Sequence, residues 1–199
     1  MPALAENQIA ALLAPYLEPP AAILPQLSLY LDLLLKWNAR TNLTAIRDPE
    51  EIVRRHFGES LFAARHIGPY ATLLDFGSGA GFPGLPIQLL RPDIAVTLAE
   101  SQNKKATFLR EAVRSLGLPT EIWANRVESM PETRQFDIVT LRAVDNMETA
   151  LAAAAPRASH ELLLLTGTNP ILPSAFILQP PIQMPNTQNT ILQRAIRAS

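Results

Sequence analysis

The segment Asp75-Phe76-Gly77-Ser78-Gly79-Ala80-Gly81-Phe82-Pro83-Gly84 constrains this chain of 199 residues more than any other. It follows a short apolar run, Ala71–Phe76, and precedes a helical pattern over 84–91 that stops at Arg91-Pro92. Alternating glycines at such a junction let the backbone turn tightly and let a ligand touch the main chain. The residues beyond keep the alternation of strand and helix. Ile94–Leu98 reads as a strand, and 102–117 as an amphipathic helix with Ala106, Leu109, Val113 and Leu116 inward, stopped by Gly117 and Pro119. Thr120–Ala124 and Phe136–Leu141 read as strands, 146–155 as a helix and Glu161–Thr166 as a further strand. Such alternation predicts an α/β fold on a parallel sheet with right-handed crossovers.

Ahead of the loop the period is different. Leu27, Tyr30, Leu31, Leu34 and Leu35 share one helical face. Asp48, Pro49 and Glu51 suit N-cap, N1 and N3 of a helix that carries Val53, Phe57, Ser60, Leu61 and Ala64 down one side to about His66. Gly68-Pro69 closes it, dividing the chain into an N-terminal helical region, 1–68, and an α/β domain, 69–199. From Thr168 the last 32 residues hold five Pro and no acid. There Ala175–Leu178 and Thr190–Ile196 are expected to pair as an antiparallel hairpin on the sheet edge.

Composition removes several kinds of chemistry. Zero Cys excludes disulfides, thiolate-held metals and thiol nucleophiles, and three His leave no expectation of a metal site. No apolar run approaches the ~18 residues of a membrane span. The first Lys or Arg is Lys36, so no signal peptide is expected, and a reducing, cytoplasmic setting is. A net charge of −1 gives no bulk argument for nucleic acid. Yet residues 36–66 carry six bases against four acids and residues 104–142 seven against five, and binding follows the local field. Lys36, Arg40, Arg47, Arg54, Arg55, Lys104, Lys105, Arg110 and Arg114 are candidate phosphate contacts.

Two acids sort the possible ligands of the loop. A dinucleotide lays an anionic pyrophosphate there and asks for glycine three residues after Gly79, where Phe82 stands. Asp75 ends the first strand, and a carboxylate at that mouth opposes a phosphate. It suits S-adenosylmethionine, whose methionine end carries an ammonium and whose sulfur is cationic. Glu100 closes the second strand, where a carboxylate accepts hydrogen bonds from ribose hydroxyls.

With those residues in view the chain resembles a known family. Asp75–Gly84, Glu100-Ser101 followed by Lys104-Lys105 and Phe108-Leu109, and Leu141-Arg142-Ala143 are similar to the RsmG (GidB) family of small-subunit ribosomal RNA guanine-N7 methyltransferases. Trp37-Asn38, Asn42-Leu43-Thr44 and His56 with Ser60-Leu61 agree, so the likeness runs over about residues 27–156. The resemblance implies a Rossmann-like class I methyltransferase. Its α/β fold would have a mostly parallel seven-stranded sheet, helices on both faces and an N-terminal helical cap. It implies S-adenosylmethionine as donor, no metal, and methylation of a guanine N7 near position 527 of 16S rRNA in the 30S subunit. A monomer is expected. By motif position it makes Asp75, Gly77, Ser78, Gly79, Phe82, Glu100, Ser101, Val127, Glu128 and Arg142 donor contacts, with Val127-Glu128 flanking the adenine. Arg142 is also the candidate catalytic residue, orienting donor or RNA, while Arg40, Arg54, Arg55, Lys104 and Lys105 are candidates for RNA. Family members usually carry Asp where Glu59 stands, and the Lys expected before Gly167 is replaced by Thr166. Two alternatives stand beside this reading: a methyltransferase of the same fold with another substrate, and a donor-binding, RNA-associated module without turnover.

Overall fold

The computed structural model describes residues 2–143, 146–167 and 170–198. Its centre is five parallel strands: β1 (Thr72–Phe76), β2 (Ala95–Ala99), β3 (Glu121–Trp123), β4 (Phe136–Arg142) and β5 (Ala158–Thr166). Three more follow, β6 (Phe176–Leu178), β7 (Ile182–Gln183) and β8 (Ile191–Arg197), and the sheet order is β3-β2-β1-β4-β5-β8-β6. β8 runs antiparallel to both β5 and β6, so the expected hairpin forms on the sheet edge, with β6 outermost and β8 next to β5. The two-residue β7 pairs with β8 off the main path, which makes eight strands where seven were expected. The helices packed on the sheet include α5 (Gly84–Leu90), α6 (Asn103–Leu116) and α7 (Met147–Ala154).

The N-terminal region holds α1 (Glu6–Leu13), α2 (Leu24–Thr41), α3 (Pro49–Ile52) and α4 (Glu59–Arg65). Asp48 caps α3 as its sequence suggests, accepting from the Glu51 N–H at 2.8 Å. A π-helical turn over Val53–Gly58 joins α3 to α4. Gly58 lies flat against Tyr16, where a Cβ would come within 2.5 Å of the ring. Leu27, Tyr30, Leu31 and Leu34 on α2 are fully buried, each worth about 1.5–3 kcal/mol of transfer free energy. They join one apolar cluster with Leu73, Ile138 and Leu163 of the sheet, so the helical region and the α/β region share a core across Gly68. Among the described residues no helix is long and apolar enough to cross a membrane. The sheet order reverses beside β1, between β2 and β4, and a crevice outside the carboxyl ends of the strands opens there.

Candidate active site

The glycine loop leaves β1 at that crevice. Gly77, Gly79 and Gly81 take φ values of 69°, 58° and 91°, in the region that favours glycine. The loop curls around Ser78. The Ser78 N–H donates to the Ala99 carbonyl at 3.0 Å, and the Gly81 and Phe82 N–H groups donate back to the Ser78 carbonyl at 2.7 and 3.1 Å. A Cβ at Gly77 would meet nothing within 4 Å, so this backbone faces open space. Gly84 is different: a Cβ there would collide with Leu98 and lie 2.8 Å from Asp75 Oδ2. The glycine that lets helix and strand pack closely is therefore Gly84, two positions beyond the Phe82 that breaks the dinucleotide pattern.

The two acids work beneath the loop. Asp75 is 1% exposed; its Oδ2 accepts from the Gly84 N–H and its Oδ1 from the Thr140 hydroxyl, both at 3.0 Å. Burial pushes its pKa up to about 6, against the pull of those hydrogen bonds. Glu100 is 6% exposed and accepts from the Gly79 N–H at 3.0 Å and the Gln102 N–H at 2.7 Å. Both carboxylates hold the loop and the start of α5 in shape. Both acids are engaged by donors of the protein itself, Asp75 by the Gly84 amide and the Thr140 hydroxyl, and Glu100 by the Gly79 and Gln102 amides.

Two clefts meet at Gly77. One, of about 210 Å³, is lined by Phe76, Gly77, Ala99, Ser101, Asn125, Arg126, Val127 and Glu128. Here the sequence candidates Gly77, Ser101, Val127 and Glu128 come together at the ends of β1, β2 and β3. The other, of about 360 Å³, brings Gly77, Ser78, Gly79, Phe82 and Arg142 together with Thr44, Arg55, His56 and Lys105. Its charged lining residues are Arg55, Lys105 and Arg142, so its wall is cationic.

Arg142 ends β4 with an 11% exposed side chain. It donates to Glu59 Oε2 at 2.8 Å and to the Arg55 carbonyl at 2.9 Å, and its guanidinium lies 5.9 Å from the Phe82 ring centre. The same Glu59 accepts from Arg55 Nε at 2.9 Å. His56 stacks on Phe82 at 4.8 Å, and its Nε2 lies 2.7 Å from the Thr44 hydroxyl. Burial, then the charges of Arg142 and Arg55, lower its pKa to about 2, so it stays neutral.

The RNA candidates divide by partner. Arg54 pairs with Glu50 at 2.7 Å, and Arg55 shares the single carboxylate of Glu59 with Arg142. Arg47 is spent on the Asn38 carbonyl and Asn42 side chain. Arg40 and Lys104 are exposed, and Lys105 is half-buried at the cleft. Three contributors lay outside the sequence candidates. Tyr30 supports the loop by donating to the Ala80 carbonyl from a stack with Phe57 and Phe82. Thr140 donates to Asp75, and a polar residue inside the apolar run Ile138–Leu141 was its signal. Buried Arg157 donates to the Met130 carbonyl at 2.9 Å and also to those of Pro131 and Arg134, pinning the segment that descends from Val127.

Comparison with known proteins now bears on this geometry. The pattern of the family described as GidB, rRNA small subunit methyltransferase G, matches residues 23–171. The chain belongs to this family. Ribosomal RNA small subunit methyltransferase G of Stenotrophomonas maltophilia (strain K279a) is 45% identical over 128 residues, covering 64% of this chain and 60% of that protein. The chain thus spans less than two thirds of that relative's length. The protein of the same name from Xanthomonas euvesicatoria pv. vesicatoria is 41% identical over 153 residues, or 75% of this chain and 72% of its own. Among solved structures, a putative O-methyltransferase from Klebsiella pneumoniae superposes with a TM-score of 0.61 at 16% identity, covering 85% of this chain and 90% of that one. The fold of this family member is accordingly that of class I methyltransferases.

Proposed function

We propose that this chain transfers a methyl group from S-adenosylmethionine to N7 of a guanine in the loop around position 527 of 16S rRNA. The meeting of two clefts at the open face of Gly77 carries the reading. When bound, the donor supplies an electrophilic methyl on a cationic sulfur. Ser101, Val127 and Glu128 fit its adenosine half, with Val127 backbone groups at the adenine edge. The left-handed Gly77 and Gly79 keep side chains away from its approach. The cationic second cleft suits an RNA base and its phosphates more than the sulfonium itself.

Guanine N7 presents a free lone pair at neutral pH, so no group need take a proton. The neutral His56 agrees, because an imidazole with pKa about 2 is too weak a base to take a proton at pH 7. Arg142, fixed by Glu59, stands on the cleft wall and orients the acceptor. Rate then comes from alignment of nucleophile and methyl in a dry pocket, an effect worth on the order of 7–11 kcal/mol. Incubating labelled donor with 30S particles from a strain lacking the modification, then mapping the labelled nucleotide, tests this. Label on a guanine N7 near position 527 is expected, and its absence refutes the assignment.

A further inference from the structure

Most of the chain's 17 Lys and Arg are already committed. Ten donate to carboxylates or carbonyls, among them Arg54 to Glu50, Arg134 to Glu121 and Arg194 to Glu161. Among the described residues Lys36, Arg40, Lys104, Lys105, Arg110 and Arg114 have no such partner, and neither does Arg126 of the donor cleft. All six lie on two helices, α2 and α6. These helices pack antiparallel: Gln26 donates to the Leu116 carbonyl at 3.0 Å, and Trp37 meets Phe108 edge-on at 5.8 Å. Five of the six are exposed, while Lys105, on the opposite side of α6 from Arg114, faces the larger cleft; the same helices carry two carboxylates, Asp32 and Glu111. Beside them a groove of about 140 Å³ is lined by Lys36, Trp37, Arg40 and Thr41. Lys105 carries the ridge into the larger cleft.

We infer that this α2–α6 face is where single-stranded RNA docks, resting on the function proposed above. Its phosphates lie along the five exposed cations, and an unstacked base sits against Trp37 in the groove. The strand then passes Lys105 toward Arg142. Unpaired cations carry phosphate binding because they lose no ion pair on engagement, and an aromatic wall accepts any base by stacking. Arg54 and Arg55, bound to their own carboxylates, stand outside this surface.

The test uses the full chain, a fluorescently labelled transcript of the loop around position 527, and 30S particles. Each single-strand phosphate contact contributes about 0.7 to the slope of log K against log salt. The double variant Lys36→Gln/Arg40→Gln is expected to lower that slope by about 1.4, which is about 25-fold in affinity at 0.1 M salt. Arg110→Gln/Arg114→Gln should act alike, both with wild-type affinity for S-adenosylmethionine by calorimetry. Trp37→Leu should weaken binding at unchanged slope, with its Tm measured alongside. Arg54→Gln should keep the wild-type slope. Wild-type slopes in both doubles, or an equal loss in Arg54→Gln, overturn the surface while methyl transfer by the unaltered protein leaves the proposed function standing. Weaker binding to particles alone, with transcript binding intact, assigns the face to a ribosomal protein and also overturns it. A wild-type chain that neither binds nor methylates the RNA defeats the proposed function itself.

Discussion

Asp75→Asn isolates the most unusual charge in the molecule. Burial holds the Asp75 carboxyl at about 6 instead of 3.8, although Gly84 and Thr140 donate to its ionised form. Its proton is bound more tightly in the folded than in the unfolded chain. The resulting stabilisation is complete below pH 3.8 and is lost as the pH rises through about 6. A displacement of about 2 pH units corresponds to about 3 kcal/mol. Asparagine keeps the shape: its oxygen can accept from the Gly84 N–H and its amide can donate to Thr140, but it does not titrate. Relative to wild type, the variant should therefore gain about 3 kcal/mol between pH 4 and pH 7, or about 6–12 °C in Tm for a chain of this size. Urea unfolding of both proteins at a series of pH values reads the difference directly, with all other acids cancelling. A difference that stays flat across that window, or falls with rising pH, refutes the reasoning. Donor affinity should survive in Asp75→Asn and fail in Asp75→Ala, where the Gly84 N–H loses its acceptor.

Gly77→Val should leave the fold intact at a strain of about 1–3 kcal/mol, since a Cβ there meets no protein atom, yet abolish donor binding by calorimetry. Glu59→Ala leaves Arg142 buried without its carboxylate and should destabilise by about 3–5 kcal/mol in urea unfolding, with Glu59→Asp recovering much of the loss. His56, with a folded pKa of about 2 against 6.5, contributes stability present above pH 6.5 and lost as the pH falls toward 2; His56→Gln should flatten that acid limb, opposite in sign to Asp75.

Elements carried by periodicity were legible. The helix beginning at Asp48, the strand ending at Asp75 and the helix over 102–117 all stand within a residue or two of their expected places, because each has a cap, a breaker or an apolar face of its own. The π-helical turn at Val53–Gly58 was not, because its Gly58 packs against Tyr16, a residue from the turn after α1 that no local pattern links to it. β5 begins three residues before its expected start, since Ala158 pairs with Phe136 of β4 ahead of a register shift rather than by any apolar pattern. The antiparallel β8 was legible as a strand, but its place between β5 and β6 follows from pairing choices that no local residue encodes.

The site shows a sharper limit. Position along the chain located Asp75 and Glu100 at strand ends, and there they are. What a carboxylate does from that point depends on which donors surround it. α5 begins at Gly84 with its first N–H turned onto Asp75, and the loop presents the Gly79 N–H to Glu100. An acid met by such donors holds the loop in shape. The charged residues lining the larger cleft are Arg55, Lys105 and Arg142, and Arg142 is held by a glutamate from the N-terminal helices. The helical region therefore does more than cover the sheet. By supplying Glu59, His56 and Tyr30 it sets the charge, neutrality and shape of a cleft whose backbone the α/β region provides.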